Sequence, residues 1–331
     1  MLFLLYRHPL YYPAYCLQLS RGFQCTELRK GLMYCPNELE TDLINRLVGV
    51  QYALETLTKG KSWQDLLLLV REQHLSSEPF LIEYSKISAH FDRLPSRKLL
   101  GQIALNIGGE VDFTTPKIRY RLIETKDTYY FTKQIHKPNW RYPNYAQRPH
   151  PYSAALSTDL AALAINMIAK QGDRLVDPTC GSGTVIYEAL CRGLKAWGYD
   201  QQWVWVNGAR ANLAHFGYQT HPLSTDGLLI SKADAQDVEF ESDVVIANLP
   251  YGRRVSATQS LLENILSNLK DRAKRFVFYS GEPLACFLQA LGYQNIQSLN
   301  LTRHPPHYRF LSVADSPLKP DITVKAPSKL R

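Results

Sequence analysis

Three acids and an amide stand at intervals in the second half of this 331-residue chain, each closing a short apolar run: Asp177, Asp200, Asp234 and Asn248. The first opens the stretch Asp177-Pro178-Thr179-Cys180-Gly181-Ser182-Gly183-Thr184. Gly181 and Gly183 let the backbone approach a ligand, and the helix expected after them favours negative or hydrogen-bond-accepting groups. The turn is not a phosphate loop, because no Gly-Lys-Ser/Thr is present, and its glycines lack the dinucleotide spacing. An acid ahead of the glycines suits a ligand with a positively charged amino group. Asp200 comes 23 residues later, a spacing at which a carboxylate takes both hydroxyls of a ribose. Asp234, in Lys-Ala-Asp-Ala-Gln-Asp, is placed to accept from an adenine exocyclic amine. An amino-acid moiety, a ribose and an adenine, in that order, describe S-adenosylmethionine. Any one Asp serves equally well as a loop cap; the ordered set is what points to the cofactor.

The amide closes Asp243-Val-Val-Ile-Ala-Asn248-Leu249-Pro250-Tyr251-Gly-Arg253-Arg254. The run Asn248-Leu249-Pro250-Tyr251 resembles the Asn/Asp-Pro-Pro-Tyr motif of the amino-methylating class I methyltransferases, with Leu249 in place of the first proline. The physical reading agrees. An aromatic exocyclic amine is a poor nucleophile, because its lone pair is delocalised into the ring. The Asn248 side-chain oxygen and a neighbouring carbonyl would accept its two N–H bonds and turn the lone pair toward a sulfonium methyl, so positioning and electrostatics supply the rate without a metal. Pro250 restricts Leu249 to an extended conformation that aims its carbonyl. Tyr251 offers a face to a base swung out of its stack, Gly252 permits close passage of a strand, and Arg253 and Arg254 reach phosphates.

The resemblance narrows further. The Asp-Pro-Thr-Cys-Gly-Ser-Gly-Thr stretch, the Asn-Leu-Pro-Tyr-Gly-Arg-Arg stretch about 70 residues on, and His150-Pro-Tyr-Ser-Ala-Ala-Leu156 just ahead look like the THUMP-containing RNA guanine-N2 methyltransferases, which act mainly on tRNA. It implies that Leu156, Asp177, Pro178, Gly181, Gly183, Thr184, Asp200 and Asp234 surround S-adenosylmethionine. Residues 79–133 are similar to the closing half of a THUMP domain, and 1–75 to the ferredoxin-like piece before it. The segment 117–148 carries Arg119, Arg121, Lys133, Lys137, Arg141 and Arg148 interleaved with Tyr120, Tyr129, Tyr130, Phe131, Trp140, Tyr142 and Tyr145. Cations for phosphates and aromatic faces for bases are the footprint of a tRNA grip; packed aromatics under a solvated face are the alternative. Competing readings with the same motif are a DNA adenine-N6 methyltransferase, which needs a target-recognition domain that is not evident, and a protein glutamine-N5 methyltransferase. A nucleic-acid-binding protein with a vestigial cofactor site would have lost an acid or a glycine.

The elements that must hold these residues alternate. From residue 152 a helix, strand, helix, strand, helix, two strands, helix, strand, helix and two strands are expected, implying a doubly wound, mostly parallel α/β sheet of the Rossmann-like class I methyltransferase type with its ligand beyond the strand ends. Before it, 40–57 and 63–74 read as amphipathic helices, 79–87 as a strand, 96–109 as a helix and 118–134 as a hairpin turning at Lys126-Asp127. The expected division is 1–75 ferredoxin-like, 76–135 THUMP-like, a proline- and asparagine-rich linker at 136–151, the methyltransferase at 152–315 and a flexible tail at 316–331. The formal charge of +8 concentrates in residues 1–150, where 20 basic residues face 14 acidic ones. No apolar run reaches the ~20 residues of a membrane span, and no secretory signal opens the chain. Six cysteines without a CxxC pair read as reduced thiols in a cytoplasmic protein. His304-Pro-Pro-His307 has a metal-compatible spacing but reads as a surface loop, and no metal is expected.

Overall fold

A computed structural model describes residues 1–73, 75, 77–87, 97–138, 145–220, 228–250, 258–303 and 308–317. The chain divides into two compact units, Met1–Trp140 and Arg141–Arg331.

The first unit runs β1 (Leu2–Leu5), α1 (Tyr12–Phe23), β2 (Thr26–Arg29), β3 (Leu32–Tyr34), α2 (Thr41–Ile44), β4 (Val50–Gly60), α3 (Trp63–Glu72), β5 (Phe80–Lys86), α4 (Arg97–Ala104), β6 (Ile118–Glu124) and β7 (Tyr129–His136). One seven-stranded sheet joins them all, in the order β2-β3-β1-β4-β7-β6-β5. Residues on both sides of position 75 therefore hydrogen-bond within a single sheet, through the β4–β7 pairing. The hairpin turns as expected between β6 and β7.

The helix expected over 40–57 is replaced by the single turn α2 and the long strand β4. Val50, Tyr52, Leu54, Thr56 and Thr58 also alternate with period two, and β-branched and aromatic residues favour strands. What decides is tertiary: β4 pairs on one side with β1 and on the other with β7. Gly49, at φ +82°, breaks any helix just before it.

α3 begins at a capping box, in which Ser62 accepts from the Asp65 N–H and Asp65 accepts from the Ser62 N–H. One face of the sheet packs Phe80, Tyr120, Leu122 and Phe131 on Leu66 and Val70 of α3 and on Ile103 and Ile107. The other gathers Leu2, Leu4, Leu32, Leu54, Ile87 and Ile123.

The second unit contains α5 (Thr158–Ile168), β8 (Arg174–Asp177), α6 (Thr184–Leu190), β9 (Lys195–Asp200), α7 (Trp203–His215), β10 (Leu228–Lys232), β11 (Val244–Asn248), α8 (Gln259–Leu269), β12 (Arg275–Ser280), α9 (Ala285–Ala290), β13 (Gln294–Asn300) and β14 (Phe310–Asp315). Its sheet has the order β10-β9-β8-β11-β12-β14-β13. The first five strands are parallel and β14 runs antiparallel to both its neighbours. The expected doubly wound architecture is present. Strand order reverses between β8 and β11, so the crevice beyond their C-terminal ends is where such a sheet accepts a ligand. Near-continuous apolar strands, with Val244, Val245, Ile246 and Ala247 all buried, reflect helices on both faces.

Phe131 is fully buried in the first unit and stacks on Tyr120 at 5.1 Å. Phe131→Ala is expected to cost about 3–5 kcal/mol, read as a lowered urea midpoint by circular dichroism; a loss under 1 kcal/mol would contradict this packing.

Candidate active site

The strand ends bring the predicted acids and glycines of the second unit together. Asp177 closes β8 and is 2% exposed. Its Oδ1 accepts from the Thr179 N–H at 3.0 Å and from the Thr179 hydroxyl at 3.3 Å. The loop then crosses to β9, where the Cys180 N–H donates to the Tyr199 carbonyl at 2.8 Å. That approach requires Gly198: a Cβ there would stand 3.0 Å from Cys180 Cβ. The Gly181 N–H donates to Asp200 Oδ2 at 3.1 Å, tying the second acid to the loop of the first. Gly181 and Gly183 have φ of +50° and +84°, so both glycines are demanded by backbone conformation. Gly183 is the N-cap residue of α6.

Two of the acids hold their own turns. Asp200 Oδ1 accepts from the Gln202 N–H at 2.9 Å, and Asp234 Oδ1 from the Gln236 N–H at 2.9 Å. Both therefore cap their own turns, while their carboxylates stay part-exposed at successive strand ends. Pro178 is buried, as are Leu156 at 4% exposure and Thr184 at 3%. The Ser182 and Thr184 hydroxyls are buried without a hydrogen-bond partner among the described residues. Unpaired hydroxyls in a glycine turn fit a loop built to meet a polar ligand.

Asn248 ends β11, opposite Tyr279 of β12. Its carbonyl accepts from the Thr179 hydroxyl at 3.2 Å, so one threonine bridges Asp177 and Asn248. Its side-chain Nδ2 donates to the Ala154 carbonyl at 3.3 Å. That leaves Oδ1 as an acceptor, and it is buried without a donor among the described residues. Leu249 is fully anchored: its side chain joins the apolar cluster around Phe276 and Phe278, and its N–H donates to the Tyr279 carbonyl at 2.9 Å. Pro250 follows, part-buried. Tyr251, Arg253, Arg254, Arg141 and the His304/His307 pair lie outside the described residues.

Several residues that hold the strand-end loops escaped sequence reasoning. Thr179 and Ala154 lie inside the motif stretches, but their contacts with Asn248 gave no sequence signal. Tyr145, inside the expected linker, is fully buried in this unit and donates to the Ser182 carbonyl at 2.7 Å. Only its place in an aromatic-rich stretch hinted at packing.

In the first unit, the proposed RNA-binding set separates. Arg121 is 6% exposed, paired with Glu83, hydrogen-bonded to Ser85 and stacked 4.0 Å over the Tyr52 ring. Its charge is consumed inside the unit, so it is withdrawn as a phosphate ligand. Arg119 leans on Glu83 at 3.8 Å, with its side chain 39% exposed, while Lys133 and Lys137 are exposed. Tyr120 and Phe131 are core, as is Tyr145, so those rings are not available to stack on bases. Among the described residues no helix is long and apolar enough to cross a membrane, and no group of three or more His, Cys, Asp or Glu could hold a metal.

The UPF0020 family, described as RMKL-like, methyltransferase domain, matches residues 145–299. A curated relative from Methanothermococcus thermolithotrophicus, named a probable tRNA (guanine(10)-N2)-dimethyltransferase, is 31% identical over 45% of this chain and 97% of its own length. The chain belongs to this family of class I methyltransferases. A second member, the tRNA (guanine(10)-N2)-dimethyltransferase of Methanothermobacter thermautotrophicus, is 29% identical over 59% of this chain and 58% of the relative. The match thus spans little more than half of that longer relative. The fold of this family member also matches the crystal structure of TrmN from Thermus thermophilus, with a TM-score of 0.51 and 18% identity over 95% of this chain and 99% of that one.

Burial pushes the Asp177 carboxyl up to about 7, with the charge of Asp200 adding to it and the Thr179 hydrogen bonds opposing. An unfolded carboxyl titrates near ~3.9. Between those values the folded chain holds a proton that the unfolded chain has lost, so this group's contribution to stability declines as pH rises from about 4 to about 7. Asp177→Asn, which keeps an acceptor for Thr179, should raise the melting temperature at pH 8 and converge with the parent near pH 4. A constant difference across that range would show that Asp177 titrates normally.

Proposed function

We propose that the chain transfers a methyl group from S-adenosylmethionine to the exocyclic N2 amine of a guanine in tRNA. The observation that carries this reading is the buried, unpartnered Oδ1 of Asn248, joined through Thr179 to the loop of Asp177. An acceptor left unpaired in a protein interior costs roughly 1–3 kcal/mol, and an incoming N–H relieves that cost.

The cofactor residues are those at the strand ends. Asp177 and the Gly181–Gly183 turn face the amino-acid end, Asp200 the ribose and Asp234 the adenine. S-adenosylmethionine, when bound, supplies an electrophilic methyl on a sulfonium. The chain's own work is to make a delocalised amine reactive. Asn248 Oδ1 accepts one of its N–H bonds, and the Leu249 carbonyl, in a residue whose side chain is committed to the core, accepts the other. The Ala154 carbonyl holds Nδ2, so the Asn248 amide presents its oxygen rather than its nitrogen. Both acceptors are fixed before the base arrives, so little reorganisation accompanies the reaction. Tyr251 stacks on the extruded base, and Arg253 and Arg254 hold adjacent phosphates.

The named relatives are tRNA (guanine(10)-N2)-dimethyltransferases, which makes guanine 10 of tRNA the first nucleotide to examine. Arg119, Lys133 and Lys137 of the first unit, together with Arg141, contribute phosphate contacts to the RNA.

Transfer of labelled methyl to unmodified tRNA, ribosomal RNA, duplex DNA and release factor, side by side, tests the reading. Label is expected in tRNA and recovered as N2-methylguanosine. Asn248→Ala should lower kcat by about 10²-fold, while S-adenosylhomocysteine binds within about threefold of the parent. Label confined to DNA or protein, or full activity in the Asn248 variant, would overturn it.

A further inference from the structure

The cofactor loop contains two left-handed glycines around one serine, a conformation that glycine permits but does not enforce. Something else must hold it. The Ser182 carbonyl between the glycines accepts two hydrogen bonds, from the Tyr145 hydroxyl at 2.7 Å and from Asn212 Nδ2 at 3.1 Å. Asn212, on α7 and fully buried, also clasps residue 150: its Oδ1 accepts from the His150 N–H at 2.8 Å and its Nδ2 donates to the His150 carbonyl at 2.9 Å. One amide side chain thus ties the segment 145–152 to the loop.

The rings reinforce the tie. Tyr145 stacks on Tyr187 of α6 with centroids 4.3 Å apart and lies 5.3 Å from Phe216. Tyr152 packs on Trp205 at 4.0 Å, and a Cβ on Gly181 would come within 3.4 Å of its ring. A Cβ on Gly183 would come within 3.1 Å of the Tyr145 hydroxyl. The Ser182 carbonyl and the Gly183 N–H share one peptide plane. Fixing the carbonyl therefore aims the N–H, which closes the turn on the Cys180 carbonyl at 2.8 Å.

We propose that Tyr145 and Asn212 are positioning residues that preset the Gly181–Gly183 turn for S-adenosylmethionine by holding the Ser182 carbonyl from the segment 145–152. The inference rests on the methyltransferase reading above. It gives the stretch that resembles a linker in sequence a role in cofactor affinity. Neither residue touches the reacting atoms. Their effect should therefore fall on cofactor binding and leave RNA binding alone.

Calorimetric titration of the full chain with S-adenosylhomocysteine tests this, with the melting temperature and both KM values recorded alongside. Tyr145→Phe removes only the hydroxyl and should weaken binding about three- to tenfold, the worth of one net hydrogen bond. KM for S-adenosylmethionine should rise by the same factor, with KM for RNA unchanged. Tyr218→Phe deletes a hydroxyl that contacts Cys191 in the same aromatic cluster and should leave binding at the parental value. Asn212→Ser should weaken binding as well, and the double variant with Tyr145→Phe should lose more than the product of the single effects, because in each single variant the remaining donor still holds the shared carbonyl. Parental binding in Tyr145→Phe, or an equal loss in Tyr145→Phe and Tyr218→Phe, would reduce Tyr145 to a packing residue and overturn the inference alone. A parent protein that binds no S-adenosylhomocysteine would overturn the methyltransferase reading and this inference with it.

Discussion

A single threonine hydroxyl connects the two halves of the candidate site. Thr179 lies within hydrogen-bonding distance of the Asp177 carboxyl and the Asn248 carbonyl, the ends of the two strands that flank the reversal in sheet order. The β8–β11 ladder is paired up to Val176 and Val245, short of both ends. Beyond that pair stands a hydroxyl with one proton and two acceptors within reach. It links the Asp177 carboxyl to the Asn248 carbonyl across the two strand ends.

Around that link, rigidity comes from side chains rather than from regular structure. Asp200 holds Gly181, Ala154 holds the Asn248 amide, and Tyr145 and Asn212 hold Ser182. Each tether fixes one polar group that must present a chosen face. Methyl transfer to a delocalised amine depends on placement, because its lone pair must be aligned with the methyl carbon. A site of this kind needs support behind every contact, and the second unit provides it from four separate elements.

The alternation of strands and helices after residue 152 was readable because apolar runs, glycines and acids recur at the spacing of a βα unit. The places of Asp177, Asp200 and Asn248 at strand ends were readable for the same reason, as was the glycine turn of Gly181 and Gly183 after the first of them. β4 was not, since Val50–Gly60 satisfies both helical and alternating periods and only its two neighbours in the sheet decide between them. Thr179, Ala154 and Asn212 were illegible because they act through hydrogen bonds set by tertiary approach, the last from 30 residues beyond the serine it holds. Tyr145 was misread for a related reason. Proline and asparagine around it have the composition of a connector, yet its ring is buried between α6 and Phe216.

The basic, aromatic segment of the first unit shows how one composition serves two purposes. Strand alternation sends Tyr120, Leu122 and Phe131 to the helix-covered face and Arg119, Arg121 and Ile123 to the other. The aromatics on the first face are consumed by the core. On the second, Glu83 and Tyr52 take up Arg121, because a guanidinium this deeply buried must be paired. The exposed lysines and part of Arg119 remain accessible to a polyanion. A surface of that kind gives affinity and orientation without sequence discrimination.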